Sequence, residues 1–274
     1  MGSDSIDRAT SFKMVMKLPD QSSLTDWRLI LVILLGASIA SAQDYAREKR
    51  WADEVVPAIV VGDPVYLQQS RGKDPAHKFL ALYTEAPNAR TAIVLVHGVG
   101  VHPDHGIIGA LRVKLNDAGY TTLAIQMPVQ RSDAQVDDYY PIVFAEAAGR
   151  IDVASRWLQD KNYKQIVLLS HSMGAWMANE YLLHADRSLY SAWICIGITG
   201  RITSPSSIKV PTLDLYGEHD LDNARRAAPW RRLMKLFMAS GSEQVEVAGA
   251  DHYYAGKENE AAAVIVQFLK KSGL

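Results

Sequence analysis

The sequence predicts an α/β fold: a mostly parallel, twisted sheet with helices on both faces. Three observations carry that expectation. From Thr91 to the C-terminus, short aliphatic runs alternate with segments of helical periodicity, the order that strands and crossover helices leave in a sequence. The runs Thr91–Val96, Ile166–Leu169 and Ala192–Ile198 are apolar almost throughout instead of at every second residue, as strands buried on both faces require. The composition is that of an ordinary globular chain, with 274 residues, 48% hydrophobic, 22% charged and a formal net charge of −1.

Taken in order, residues 44–54 are charged and read as surface. Pro64–Gln68 and Lys78–Glu85 predict two strands joined by the polar loop Ser70–Pro75, an antiparallel start. Thr91–Val96 is a buried strand ending in His97-Gly98-Val99-Gly100. Gly106–Ala118 reads as a helix with Gly119 just past its end, and Tyr120–Ile125 as the next strand. Phe144, Ala147, Ile151, Ala154 and Leu158 recur at helical spacing and mark an amphipathic helix. Ile166–Leu169 is a strand, and Ala175–Leu183, free of Gly and Pro, a helix. Ala192–Ile198 and Thr212–Tyr216 are further strands. Trp230, Leu233, Met234 and Phe237 form a helical stripe with Pro229 at its start, and Arg225, Arg226, Arg231, Arg232 and Lys235 read as its solvated side. Gln244–Val247 is the last strand; Ala261, Val264, Ile265, Phe268 and Leu269 mark the closing helix. No repeat, low-complexity tract or second domain is visible, and Thr199–Pro211 is too short to hold a lid domain.

The near-neutral charge offers no electrostatic footprint for nucleic acid. The single cysteine, Cys195, rules out an internal disulfide and lies in an apolar run, as a small buried hydrophobe would. At the N-terminus, Lys13, Lys17 and Arg28 precede the apolar run Leu29–Ala42, which ends in Ala40-Ser41-Ala42. A basic lead, a short apolar run and an A-x-A ending describe a secretory signal peptide over residues 1–42, followed by one domain over 43–274. The run is short for a membrane span, though an uncleaved anchor over residues 29–42 is the alternative. Met14 and Met16 are alternative starts. The expected location is periplasmic or secreted, with membrane contact only if the segment stays uncleaved.

The chemistry converges on Ile166–Trp176. An apolar strand passes straight into a helix through Ser170-His171-Ser172-Met173-Gly174, which forces a tight bend with small residues two positions either side of its apex. The apex is Ser172, at a helix start where free N–H groups gather and can stabilise an oxyanion. This is the small-x-Ser-x-small form of a nucleophile elbow, with Ser170 in place of the usual first glycine. In an open α/β sheet the working site lies beyond the carboxyl ends of the strands. Those ends carry His97-Gly98-Val99-Gly100, Ser172, Gly217-Glu218-His219-Asp220 and Gly249-Ala250-Asp251-His252. A nucleophile, a carboxylate and an imidazole thus follow in the order Ser, Asp, His. A serine needs an adjacent base, and the base needs a carboxylate to fix its tautomer. Glu218, Asp222 and Asp251 compete with Asp220 for the last place. Asp214 lies inside a strand and suits a structural hydrogen bond. His171 reads as a support behind the site. His97, His102, Asp104 and His105 could be drawn as a metal cluster, but loop histidines in such a place more often orient backbone. Gln130–Pro141, with Tyr139 and Tyr140, is either a substrate contact or a solvated loop.

From about residue 60 onward the chain resembles the α/β-hydrolase superfamily, on His97-Gly98, Ser170–Gly174, Gly217–Asp220 and Asp251-His252. With Gln126-Met127-Pro128, the run Val96–Asp104 is also similar to a little-characterised group of exported bacterial members. The resemblance implies an α/β-hydrolase fold without a large lid, Ser172 as nucleophile, Asp220 as acid and His252 as base. It further implies an oxyanion hole from the backbone N–H groups of Val99 and Met173. No cofactor and no metal are expected. The resemblance does not imply a substrate, because this fold hosts many chemistries. With the triad it leads to the expectation of a serine hydrolase of a carboxylic ester or related acyl compound. A non-catalytic envelope binding protein on the same fold is the alternative. N-terminal sequencing of the natively produced mature protein is expected to read Gln43 first; a product retaining residues 29–42 would overturn cleavage.

Overall fold

The computed structural model describes residues 43–72, 74–184 and 189–274, so the expected signal segment lies outside the described residues. Eight strands form one sheet: β1 (Asp63–Arg71), β2 (Asp74–Thr84), β3 (Thr91–Val96), β4 (Thr121–Ile125), β5 (Gln165–His171), β6 (Ala192–Ile196), β7 (Thr212–His219) and β8 (Glu243–Asp251). Their order is β1-β2-β4-β3-β5-β6-β7-β8. β1 and β2 form the antiparallel start, β2 pairs antiparallel with β4, and the rest is parallel. This is the predicted architecture. Between β6 and β7 the chain makes only a 3-10 turn at Pro205–Ser207, so no lid domain is inserted there.

The helices are α1 (Tyr45–Val55), α2 (Gly106–Asp117), α3 (Val136–Tyr139), α4 (Phe144–Asp160), α5 (Met173–His184), α6 (Asp222–Met234) and α7 (Glu258–Lys271). The central strands explain their position. In β3, Val94 and Val96 point into one core with Ala147, Ile151 and Ala154 of α4 and Ala178 and Leu182 of α5. Ile93 and Leu95 point into the other, with Leu111 and Leu115 of α2 and Ile265 and Phe268 of α7. Successive side chains leave a strand on opposite faces, so an unbroken aliphatic strand needs helices on both. Each such side chain, fully buried, contributes about 1.5–3 kcal/mol of transfer free energy.

Two expectations are corrected. Residues 44–54 are not simply surface: α1 buries Glu48, Ala52 and Val55, one helical face. The stripe at 230–237 is not a buried face either. α6 starts at Asp222, carries Pro229 inside it, and buries Ala224, Ala228 and Arg231. Leu233, Leu236 and Phe237 are exposed. Arg231, grouped with the solvated side from its charge, is buried because its Nε donates to Asp214 Oδ2 at 2.8 Å. Asp214 also accepts from Gln244 at 2.7 Å, the structural hydrogen bonding expected of it.

A second buried cation ties α1 to the sheet. Arg150, on α4, donates to Glu48 Oε1 at 2.8 Å, Glu146 Oε1 at 2.6 Å and the Gln126 carbonyl at 2.9 Å. His77 reaches Glu48 at 3.1 Å, and the Tyr45 hydroxyl donates to Glu146 at 2.8 Å. Removing the cation leaves the buried Glu48 and the largely buried Glu146 carboxylates without the charge that pairs them. Arg150→Ala is therefore expected to cost about 3–5 kcal/mol, read as a lower urea midpoint at unchanged slope.

Candidate active site

The site begins with a bend. β5 ends at His171 and α5 begins at Met173, leaving Ser172 alone to reverse the chain. Its φ is +57°, a left-handed conformation unusual for a residue with a Cβ. Two backbone bonds hold it there: Ser172 N–H to the Ile196 carbonyl and Ala175 N–H to the Ser172 carbonyl, both 2.9 Å. A Cβ on Gly174 would lie 2.4 Å from the His97 carbonyl oxygen, so only glycine lets α5 start this close to β3. Ser170 takes the other small position and uses its hydroxyl: Trp193 Nε1, buried on β6, donates to Ser170 Oγ at 2.9 Å. A glycine there would orphan that indole N–H.

Ser172, His252 and Asp220, from three strand ends, meet in one line. His252 Nε2 is 2.9 Å from Ser172 Oγ, and His252 Nδ1 is 2.6 Å from Asp220 Oδ1. Asp220 also accepts from the N–H groups of Leu221 at 2.7 Å and Gly217 at 3.2 Å. Val99 and Met173 line the cavity into which Ser172 opens, and the Met173 N–H stands at the first position of α5. The three competing carboxylates are engaged elsewhere. Glu218 accepts from Gly249 N–H, Asp222 pairs with Arg225 and Arg226, and Asp251 accepts from the N–H groups of Tyr253 and Ala255.

Residues 93–264, more than half of the chain, match the Alpha/beta hydrolase family. The chain belongs to that family. Residues 27–147 also match a family described as Protein of unknown function (DUF3530). No curated protein matches. Among solved structures, a dienelactone hydrolase from Anabaena variabilis shares 18% identity and a TM-score of 0.61 over 76% of this chain and 97% of its own. An alpha-beta serine hydrolase homologue from Coxiella burnetii shares 15% and 0.59 over 77% and 99%. An a/b serine hydrolase without lid from Xanthomonas campestris shares 13% and 0.58 over 78% and 95%. At these identities the likeness is one of fold.

Around this hydrolase-family centre, two buried histidines hold backbone in place. His97 Nε2 accepts from Met127 N–H at 2.8 Å, so its proton is on Nδ1 and goes to the Gly98 carbonyl, also 2.8 Å away. It thereby ties the His97–Gly100 loop to the end of β4. His171 Nε2 donates to the His252 carbonyl at 2.9 Å, with the two rings 4.9 Å apart. The other members of the drawn metal cluster do not gather round an ion site among the described residues: Asp104 takes Arg112 at 2.6 Å, the His102 ring packs against Trp51 and His105, and His105 lines the cavity over Ser172. The 130–141 connection divides. Tyr139 is buried with its hydroxyl accepting from Gln130 N–H at 3.0 Å, while Val136 and Asp137 face the cavity. That cavity, about 630 Å³, also takes in Leu221, Asn223 and Tyr253, which the sequence did not single out. Each lies next to a residue it did.

Burial depresses both histidines, His97 to about 3 and His171 to about 4, the latter helped by the adjacent His252. Burial alone would raise the Asp220 carboxyl. The hydrogen bond and attraction from His252, with the Gly217 and Leu221 N–H groups, reverse this and hold it below its ordinary value. The signs give two windows. Between about pH 4 and the ordinary histidine value of 6.5, the unfolded chain binds protons at His97 and His171 that the folded chain refuses, so stability falls as pH falls. Asp220 stabilises above its unfolded value of 3.8, and that contribution is lost only as pH drops below it. His171→Gln is expected to flatten the dependence of unfolding free energy on pH near pH 5 by up to about 1.4 kcal/mol per pH unit, measured by urea titrations across that range.

Proposed function

We propose that this protein is a serine hydrolase of carboxylic esters or related acyl compounds. The observation that carries the reading is the unbroken line from Ser172 Oγ through His252 to the buried Asp220, at 2.9 and 2.6 Å, with Ser172 on a left-handed bend that lines the cavity. Ser172 Oγ attacks the acyl carbon while its proton passes to His252 Nε2. Asp220 stays anionic, holds the Nδ1 proton and stabilises the imidazolium. The N–H groups of Val99 and Met173 receive the tetrahedral oxyanion, an interaction that typically contributes a few kcal/mol. The intermediate collapses, the bond to the leaving alcohol breaks, and the alcohol departs with the proton from Nε2. Water then gives a proton to Nε2 and attacks the acyl-enzyme, releasing the acid as Nε2 returns the proton to Ser172. The names of the serine hydrolase neighbours agree with this chemistry. The pattern of residues 29–42 supports export, with the reaction then in the periplasm or outside the cell, or at the membrane if that segment stays uncleaved.

Ser172→Ala is expected to unfold within about 1 kcal/mol of wild type and to lose both fluorophosphonate labelling and about four or more powers of ten in hydrolysis of a short p-nitrophenyl ester. Asp220→Asn is expected to fold and lose about three to four powers of ten, because the imidazole loses its tautomer. A folded wild type that neither labels nor turns over any acyl ester would give the site to a binding protein instead.

A further inference from the structure

The cavity over Ser172 has an uneven chemistry. Among the described residues, neither lysine nor arginine lines it. Asp137, exposed at the start of α3, is its one aspartate or glutamate among the described residues. Around it stand three large apolar side chains that solvent reaches: Val136 at 54% exposure, Leu221 at 47% and Tyr253 at 64%. They come from α3, the residue that caps α6, and the loop after β8. Exposed apolar side chains are common singly, but three converging on one cavity form a patch a ligand can cover.

We infer that, as a hydrolase, this site selects uncharged esters with an apolar acyl chain and rejects esters bearing a carboxylate, and that Asp137 contributes to the rejection. The inference rests on the serine hydrolase reading and adds a substrate class to it. An anionic substrate entering the cavity gives up water against Val136, Leu221 and Tyr253, and among the described residues it meets no lysine or arginine that could replace it, only the imidazoles of His97, His105, His171 and His252. It also approaches Asp137, whose repulsion is moderate because the group is exposed and screened. An alkyl chain on the same ester covers the apolar rim. Two cations near this loop are used elsewhere: the Arg47 guanidinium donates to the Gln130 carbonyl at 2.8 Å and the Gly100 carbonyl at 3.3 Å, and Arg131 pairs with Asp133 at 3.2 Å.

The test compares two esters that differ only at the far end of the chain, p-nitrophenyl hexanoate and the mono-p-nitrophenyl ester of adipic acid. With the full-length protein, the expected kcat/KM favours hexanoate by at least about tenfold. The ratio between the two esters is read within each variant, so lost folded protein cancels. In Asp137→Lys the ratio is expected to shift toward the adipate ester by about tenfold, and in Asp137→Asn by about threefold. Equal rates on the two esters in wild type would overturn the inference. So would ratios in both variants that match wild type, since Asp137 would then take no part. A serine that labels with a fluorophosphonate while neither ester turns over would also overturn it and leave the hydrolase reading standing. Failure of labelling in a folded protein would instead remove the hydrolase reading itself.

Discussion

The site depends on how closely α5 starts against the end of β3. The carbonyl oxygens of Val96 and His97 occupy the space that a side chain at Gly174 would need, at 2.8 and 2.4 Å from its Cβ position. That approach fixes the rest. It forces the reversal from β5 into α5 onto one residue, which gives Ser172 its left-handed backbone and lifts the hydroxyl off the sheet. It also brings the His97–Gly100 loop beside the serine: a Cβ on Gly98 would lie 3.1 Å from the Ser172 Cβ. This close approach brings the serine and both candidate oxyanion donors together, and β7 and β8 of the same sheet lead to Asp220 and His252.

Such a centre works only if its parts are held before substrate arrives, and buried polar groups do the holding. His97 joins the loop after β3 to the end of β4, and His171 grips the carbonyl of His252. Both are buried and neutral, so each serves as one donor or one donor and one acceptor with its tautomer set by its partners. Arg150 and Arg47 carry the bracing outward to α1, a helix that precedes the matched hydrolase-family region. Preorganised dipoles need not reorient as charge develops, which is where such sites gain most of their rate.

The sheet, its antiparallel start and the short β6–β7 connection were legible in the sequence because each rests on local pattern: apolar runs, helical spacing, loop length. The elbow was legible for the same reason, since the bend constrains residues only two positions apart. The carboxylate was less so. Asp220, Glu218, Asp222 and Asp251 lie close together in sequence, and only their partners in space separate them. Failures of local pattern were all charges buried through distant partners. Glu48 is inside because Arg150 is, and Arg231 because Asp214 is. Charge patterning assigns both to the surface, since neither partner lies on the same element. With Arg231 facing inward, α6 turns Leu233 outward, away from the buried side assigned to it by spacing alone.

Absence of an inserted lid between β6 and β7 leaves one requirement open. Electrostatic stabilisation at the oxyanion position strengthens as water leaves. Here the described residues over Ser172 are a short helical turn at α3, Leu221 and Tyr253, an apolar rim that stays in contact with solvent. In the hydrolase reading the substrate has to complete the enclosure. An acyl chain that covers Val136, Leu221 and Tyr253 removes water from the same cavity that holds His252 and the Val99 and Met173 N–H groups. Binding energy from a part of the substrate remote from the scissile bond would then appear in the chemical step, as differential stabilisation of the transition state requires.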